Sequence, residues 1–125
     1  MSQAHLVIVI EDDADERTAL GRVLRLGGFL VESHASAEEF LAAPPRGALC
    51  LLLDLQLGGM SGFELLRGLR AGGSTLPVIV NTARDDAESH REAEQLGCIA
   101  YLLKPFSGRE LVSFLRTLGN PSTPA

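Results

Sequence analysis

Glu11, Asp12 and Asp13 stand together directly after an apolar run, and Asp54 follows another. Asn81-Thr82-Ala83 and Lys104-Pro105 come after two more. Two or three carboxylates brought together repel each other unless a cation or a proton intervenes. Hard oxygen ligands with open positions suit Mg²⁺, which keeps several waters and takes one or two carboxylates plus phosphate oxygens. A carboxylate beside such an ion can attack phosphorus and form an aspartyl phosphate. The transferred group is close to metaphosphate, so the protein contributes positioning and charge neutralisation. Here Lys104 supplies the ammonium, Thr82 the hydroxyl, and Asp54 is the implied acceptor. Singly, each has an ordinary explanation: Asp forms turns, and acidic clusters suit helix N-termini. On one edge of one fold, those explanations would need a separate coincidence each.

The elements that must position them are legible as short apolar runs. Leu6 to Ile10, Leu49 to Leu53, Pro77 to Val80 and Ile99 to Leu103 are apolar on both faces, which suits parallel strands covered by helices on both sides. Phe29 to Glu32 is a weaker fifth and fits an edge strand. Between them apolar residues recur at helical spacing: Ala19, Leu20, Val23 and Leu24; Phe63, Leu65, Leu66 and Leu69; Leu111, Phe114, Leu115 and Leu118. Ser36/Glu39, Ser61/Glu64 and Ser107/Glu110 read as capping boxes, and Asp85/Glu88 resembles one that opens a fourth helix. Gly27-Gly28 and Gly72-Gly73 read as helix stops. The expected fold is α/β, with a βα unit repeated five times in one sandwich. In such sheets ligands bind outside the carboxyl ends of the strands, where the strand order reverses. The helix from about Asp85 to Leu96 is poorest in apolar residues and is expected to be held least firmly.

Composition narrows the function classes. The chain has 125 residues, 46% hydrophobic and 22% charged, enough for one domain with a real core. Five of the six residues from Glu11 to Glu16 are acidic, the net charge is −5, and Lys104 is the sole lysine among 11 basic residues. An acidic surface argues against sequence-independent binding to nucleic acid or anionic lipid. Ala48 to Leu53, an apolar run that none exceeds, falls far short of the ~18 residues a membrane span needs. The first residues show no signal-peptide pattern. Cys50 and Cys98 lack metal-ligand spacing and are expected to be buried free thiols in a reducing cytoplasm. His5, His34 and His90 have no partner at ligand spacing and are expected to be exposed.

The ordered set Val7 to Asp13 with Arg17 and Leu20, Leu51 to Leu55, Met60 to Leu65, Val78 to Ala83 and Tyr101 to Phe106 resembles the receiver domain of two-component response regulators. The resemblance covers residues 5 to 118, leaving 119–125 as a tail or the start of a linker. It implies a flavodoxin-like (βα)5 fold, a doubly wound five-stranded parallel sheet in strand order 2-1-3-4-5 flanked by five helices. It also implies a phosphoacceptor switch rather than an enzyme with a separate substrate. Asp54 would accept the phosphoryl group from a histidine kinase or histidine phosphotransfer protein. Asp12 would bind Mg²⁺ (or Mn²⁺) directly, Glu11 directly or through a water, and Asp54 and the backbone carbonyl of Gln56 would complete the ligands. Thr82 and Lys104 would contact phosphoryl oxygens, and the Lys104–Pro105 bond would be cis. Tyr101 would be the aromatic switch, coupled to Thr82 and reshaping the surface around the fourth helix, fifth strand and fifth helix. That face is also where a homodimer would form, with Arg84, Asp85, Asp86, Arg91, Glu92 and Glu94 available for rim ion pairs. Output would pass to a downstream protein or an output domain, so that the chain is either a stand-alone cytoplasmic receiver or part of a longer regulator.

Some positions depart from the usual family pattern. Glu11 stands where Asp is usual, and Leu57-Gly58-Gly59 replaces a common Met-Pro after the acceptor. Gln56 and Arg84 occupy positions that tune phosphoryl lifetime in the family. A phosphatase of the haloacid dehalogenase type is the alternative reading, since it also uses a strand-end Asp nucleophile. It needs a second Asp at position 56, where this chain has Gln. A flavodoxin-like cofactor carrier needs a hydroxyl- and Gly-rich phosphate loop after the first strand, where Glu11 to Glu16 would repel phosphate.

Overall fold

Every strand run expected from the sequence forms a strand, in a computed structural model that describes residues 5–43 and 47–119. The strands are β1 (Leu6–Ile10), β2 (Leu30–His34), β3 (Cys50–Asp54), β4 (Val78–Thr82) and β5 (Ala100–Leu103). They alternate with α1 (Ala14–Leu26), α2 (Ala37–Ala42), α3 (Gly62–Ala71), α4 (Ala87–Gln95) and α5 (Gly108–Leu118). All pairings are parallel and the order is β2-β1-β3-β4-β5, as expected, with β2 on an edge. Residues 120–125, most of the expected tail, and residues 1–4 lie outside the described residues.

Strand alternation divides the core into two layers. Ile8, Ile10, Leu51, Leu53, Val78 and Val80 face Phe40 of α2, Leu65 and Leu66 of α3, and Ala93 of α4. Val7, Val9, Cys50, Leu52 and Ile79 face Leu24 of α1 and Leu111 and Leu115 of α5. Both faces are buried, which is why the strands read as unbroken apolar runs.

Three strand ends reach further than the apolar pattern, that of β2 on the edge by two residues to His34. β3 closes on Asp54 and β4 on Thr82, and Asp54 pairs in register with Asn81. The acceptor candidate and the hydroxyl candidate are therefore last residues of strands rather than first residues of loops. β2 begins one residue later than expected, because Phe29 closes α1 instead: its N–H donates to the Leu24 carbonyl, 3.1 Å away.

The caps follow the serines. Ser61 and Glu64 form the complete reciprocal box at α3. Ser36 and Ser107 accept from the N–H groups of Glu39 and Glu110, while the Glu39 carboxylate turns to the N–H of Ala35. At α4 the cap is Asp86, bound to the Ser89 N–H at 2.7 Å, and not the expected Asp85 with Glu88. Both acids suit an N-cap; the backbone is extended at Asp86, and the helix starts one residue later. Gly27 and Gly72 end α1 and α3 as expected, each followed by a glycine at positive φ, 97° at Gly28 and 87° at Gly73.

Candidate functional site

The register brings the chemistry to one edge. Ile10 pairs with Leu53, and Asp54 with Asn81, so Glu11, Asp54 and Asn81 lie side by side at the carboxyl end of the three central strands. Order reverses here, since β1 has β2 on one flank and β3 on the other.

Lys104 reaches across this edge from the end of β5. Its ammonium donates to Glu11 Oε1 at 2.8 Å and Asp54 Oδ2 at 2.9 Å, and pairs with Glu16 Oε1 at 3.0 Å. The peptide bond to Pro105 is cis, as the resemblance implies. Glu11 is 1% exposed and Asp54 4% exposed, so the two carboxylates are largely out of water. Burial pushes Glu11 up to about 7, against the pull of the Lys104 hydrogen bond and with the help of the Asp54 charge. Burial alone would lower the Lys104 ammonium, but hydrogen bonds to Glu11, Asp54 and Glu16 outweigh it and hold the group above the ordinary lysine range.

Backbone contacts fix the remaining geometry. Asp54 Oδ1 accepts from the Gln56 N–H at 2.9 Å, and Glu11 Oε2 from the Asp13 N–H at 3.2 Å. Arg17 donates to the Glu11 carbonyl at 2.8 Å and so anchors the turn that carries Glu11 and Asp12. Asp12 is exposed beside its buried neighbours. One carboxylate oxygen from each of Glu11, Asp12 and Asp54 lies within 4.8 Å of the others. A set of hard oxygens so close suits a small divalent cation better than a soft metal.

Thr82 is fully buried and its hydroxyl accepts from the Arg84 N–H at 3.1 Å. The carbonyl of the same Arg84 accepts from the Tyr101 hydroxyl at 2.9 Å. One residue of the β4–α4 connection thus joins the candidate hydroxyl to the candidate switch ring. The His90 ring stacks on Tyr101, centroids 3.8 Å apart, and its Nε2 lies 3.4 Å from Asp85.

The histidine expectation is corrected at two positions. His34 is mostly buried, 2.8 Å from Glu32 Oε2 and edge-on to Phe40, and His90 is half-buried against Tyr101. Cys50 is buried as expected, whereas Cys98 is only half-buried; neither forms a disulfide. Three of the acids expected at a dimer rim are paired within the chain: Asp85 with His90, Asp86 with Arg84, and Glu92 with Arg67 of α3. Glu16 and His90 carry contacts that sequence reasoning missed. Glu16 was recoverable, since it stands in the first turn of the helix that directly follows Glu11 and Asp12.

A family model described as response regulator receiver domain matches residues 7–116. The transcriptional regulatory protein FixJ of Azorhizobium caulinodans is 37% identical over 117 residues, which is 93% of this chain and 56% of that protein. A response regulator receiver protein from Pseudomonas putida superposes with a TM-score of 0.85 at 28% identity, covering 94% of this chain and 99% of that one. A CheY-like receiver domain protein from Methanospirillum hungatei gives 0.86 at 24% identity over 95% and 96%, a likeness of fold. This chain belongs to the response regulator receiver family. Its fold is that of a phosphoacceptor switch, and the phosphatase alternative gains no support from these matches. The chain spans between a quarter and three fifths of the curated relatives it matches, 25% of one and 58% of another. Among the described residues no helix is long and apolar enough to cross a membrane.

Proposed function

We propose that Asp54 is the phosphoacceptor, taking its phosphoryl group from a phosphohistidine on a histidine kinase or histidine phosphotransfer protein. The observation that carries this reading is the Lys104 ammonium held between Glu11 and Asp54, with Asp12 alongside. An Asp54 oxygen attacks phosphorus, the phosphorus–nitrogen bond breaks, and the imidazole leaves with the electron pair. Lys104 then follows the negative charge from the carboxylate to a phosphoryl oxygen. Thr82 exchanges its bond to the Arg84 N–H for another, which alters the connection that Tyr101 holds.

Glu11, Asp12 and Asp54, with the Gln56 carbonyl, are the residues that would hold Mg²⁺ or Mn²⁺. Bound there, the ion supplies positive charge that lets a carboxylate approach a phosphate. A cleft of about 560 Å³ lined by Ala19, Leu20 and Val23 of α1, and by Pro105 and Phe106, opens beside Lys104. It is largely apolar and shares Lys104 with the acceptor site, and we assign it to the phosphodonor partner. Output passes through the α4–β5–α5 face to a downstream protein or output domain, or to a second copy, and the switch works in the cytoplasm without catalysing turnover of a separate substrate.

Incubation with acetyl phosphate or phosphoramidate and Mg²⁺, followed by intact mass, tests the reading. One labile phosphoryl adduct is expected, absent in Asp54→Asn; no adduct on the wild type would overturn it. Gln56 stands two residues beyond Asp54 and Arg84 two beyond Thr82, and we assign both to tuning the adduct's lifetime, so Gln56→Ala and Arg84→Ala should change its half-life, and unchanged values in both would remove that role.

A further inference from the structure

Asn81 follows three apolar residues, Val78, Ile79 and Val80, inside β4. It is fully buried, and neither its amide nitrogen nor its carbonyl oxygen has a hydrogen-bond partner among the described residues. An unpaired buried amide forfeits its hydration with nothing in return, and a leucine of similar size would not. A residue that weakens the resting fold in this way is informative about another state.

Its place says which state. Asn81 is the register partner of Asp54 on one side and of Leu102 on the other, so all three side chains leave the same face of the sheet. Neighbouring strands are about 4.8 Å apart, which puts the amide beside the acceptor. Lys104, two residues beyond Leu102, crosses the end of β4 to reach Asp54 and Glu11.

At rest both Asp54 oxygens are engaged, Oδ1 by the Gln56 N–H and Oδ2 by Lys104. We propose that Asn81 is a positioning residue of the loaded site, its amide unpaired at rest and hydrogen-bonded once Asp54 carries a phosphoryl group. Phosphorylation turns one carboxylate oxygen into the bridging anhydride oxygen of an acyl phosphate, a poor acceptor, and draws the ammonium outward to the phosphoryl group. The acyl oxygen that the lysine gives up has two lone pairs: one would face the cation held with Glu11 and Asp12, and the other is then the acceptor for the Asn81 N–H. Asn81 therefore biases the molecule toward the loaded arrangement at the expense of the resting one. This inference rests on Asp54 being the phosphoacceptor.

The test compares wild type with Asn81→Leu and, as a smaller apolar replacement matching Val78 and Val80, Asn81→Val. Thermal melting is measured with and without Mg²⁺ plus beryllium fluoride, a phosphoryl mimic, alongside the acetyl phosphate mass assay. At least one variant should melt about 4 °C higher at rest, the effect of removing an unpaired buried group from a small domain. The rise on adding the mimic should shrink by a comparable amount in that variant. Two variants that melt no higher than wild type, or that keep the full rise, would overturn the role of Asn81. Failure of the wild type to take phosphate or respond to the mimic would instead overturn the acceptor reading, and this inference with it.

Discussion

Lys104 pairs with three carboxylates at once, and two of them are nearly out of water. Removing the cation leaves like charges facing each other in a poorly hydrated place. Lys104→Ala should therefore cost the metal-free protein about 3 kcal/mol at neutral pH, by denaturant unfolding. The loss should be recovered on adding Mg²⁺, and the variant should bind Mg²⁺ more tightly than wild type, because ammonium and metal compete for the same oxygens. Glu11 gives a pH signature in the metal-free protein. Its folded pKa of about 7 lies above its ordinary value of 4.5, so the folded state binds the proton more tightly. Its contribution is most favourable below 4.5 and is lost as pH rises to about 7. The stability of wild type relative to Glu11→Gln should fall across that interval and level off above it. A difference that grows with pH would contradict the burial argument.

At the scale of elements, the start of α3 sits against the end of β3 with no room to spare. A Cβ on Gly62 would lie 2.4 Å from the Asp54 carbonyl oxygen and 2.7 Å from Leu55 Cα, backbone atoms that cannot swing aside. Gly62→Ala should cost about 1–3 kcal/mol by overpacking and slow phosphorylation by displacing Asp54, measured by melting and by acetyl phosphate uptake. The expected weak hold on α4 is consistent with what it buries, the small Ser89 and Ala93, where α5 buries Leu111 and Leu115. Amide hydrogen exchange should be faster in α4 than in α3 or α5. The strand interiors were legible because both faces are apolar, whereas β3 and β4 end on Asp54, Asn81 and Thr82, polar residues kept in the sheet by backbone pairing. Periodicity stops where side-chain chemistry changes, not where the ladder does. The α4 cap was off by one for a related reason: Asp85 and Asp86 are equivalent as residue types, and only the chain's direction chooses between them.

For the whole molecule, strand order does most of the work of assembling the site. Residues 11, 54 and 104 are distant in the chain and meet because β1 and β3 are neighbours and β5 follows one strand beyond β4. That convergence was legible from strand-end positions alone. The contacts of Tyr101 with His90 and with Arg84 were not, because they depend on how α4 and its connection pack on β5. The two-layer core also supplies a gauge of global unfolding. Cys50 is fully enclosed, and burial pushes its thiol up to about 12, so alkylation should proceed only through molecules that have opened completely. Its labelling rate should track denaturant concentration as the unfolding equilibrium does, while Cys98 reacts earlier. The chain also contains one tyrosine and no tryptophan. Excited at wavelengths that phenylalanine does not absorb, the protein emits through Tyr101 alone, a ring stacked on an imidazole with its hydroxyl tied to a carbonyl, two contacts that dim a phenol. His90→Ala should brighten the unloaded protein, and a change of brightness on adding acetyl phosphate would follow the state of the β4–α4 connection in real time, with no label attached.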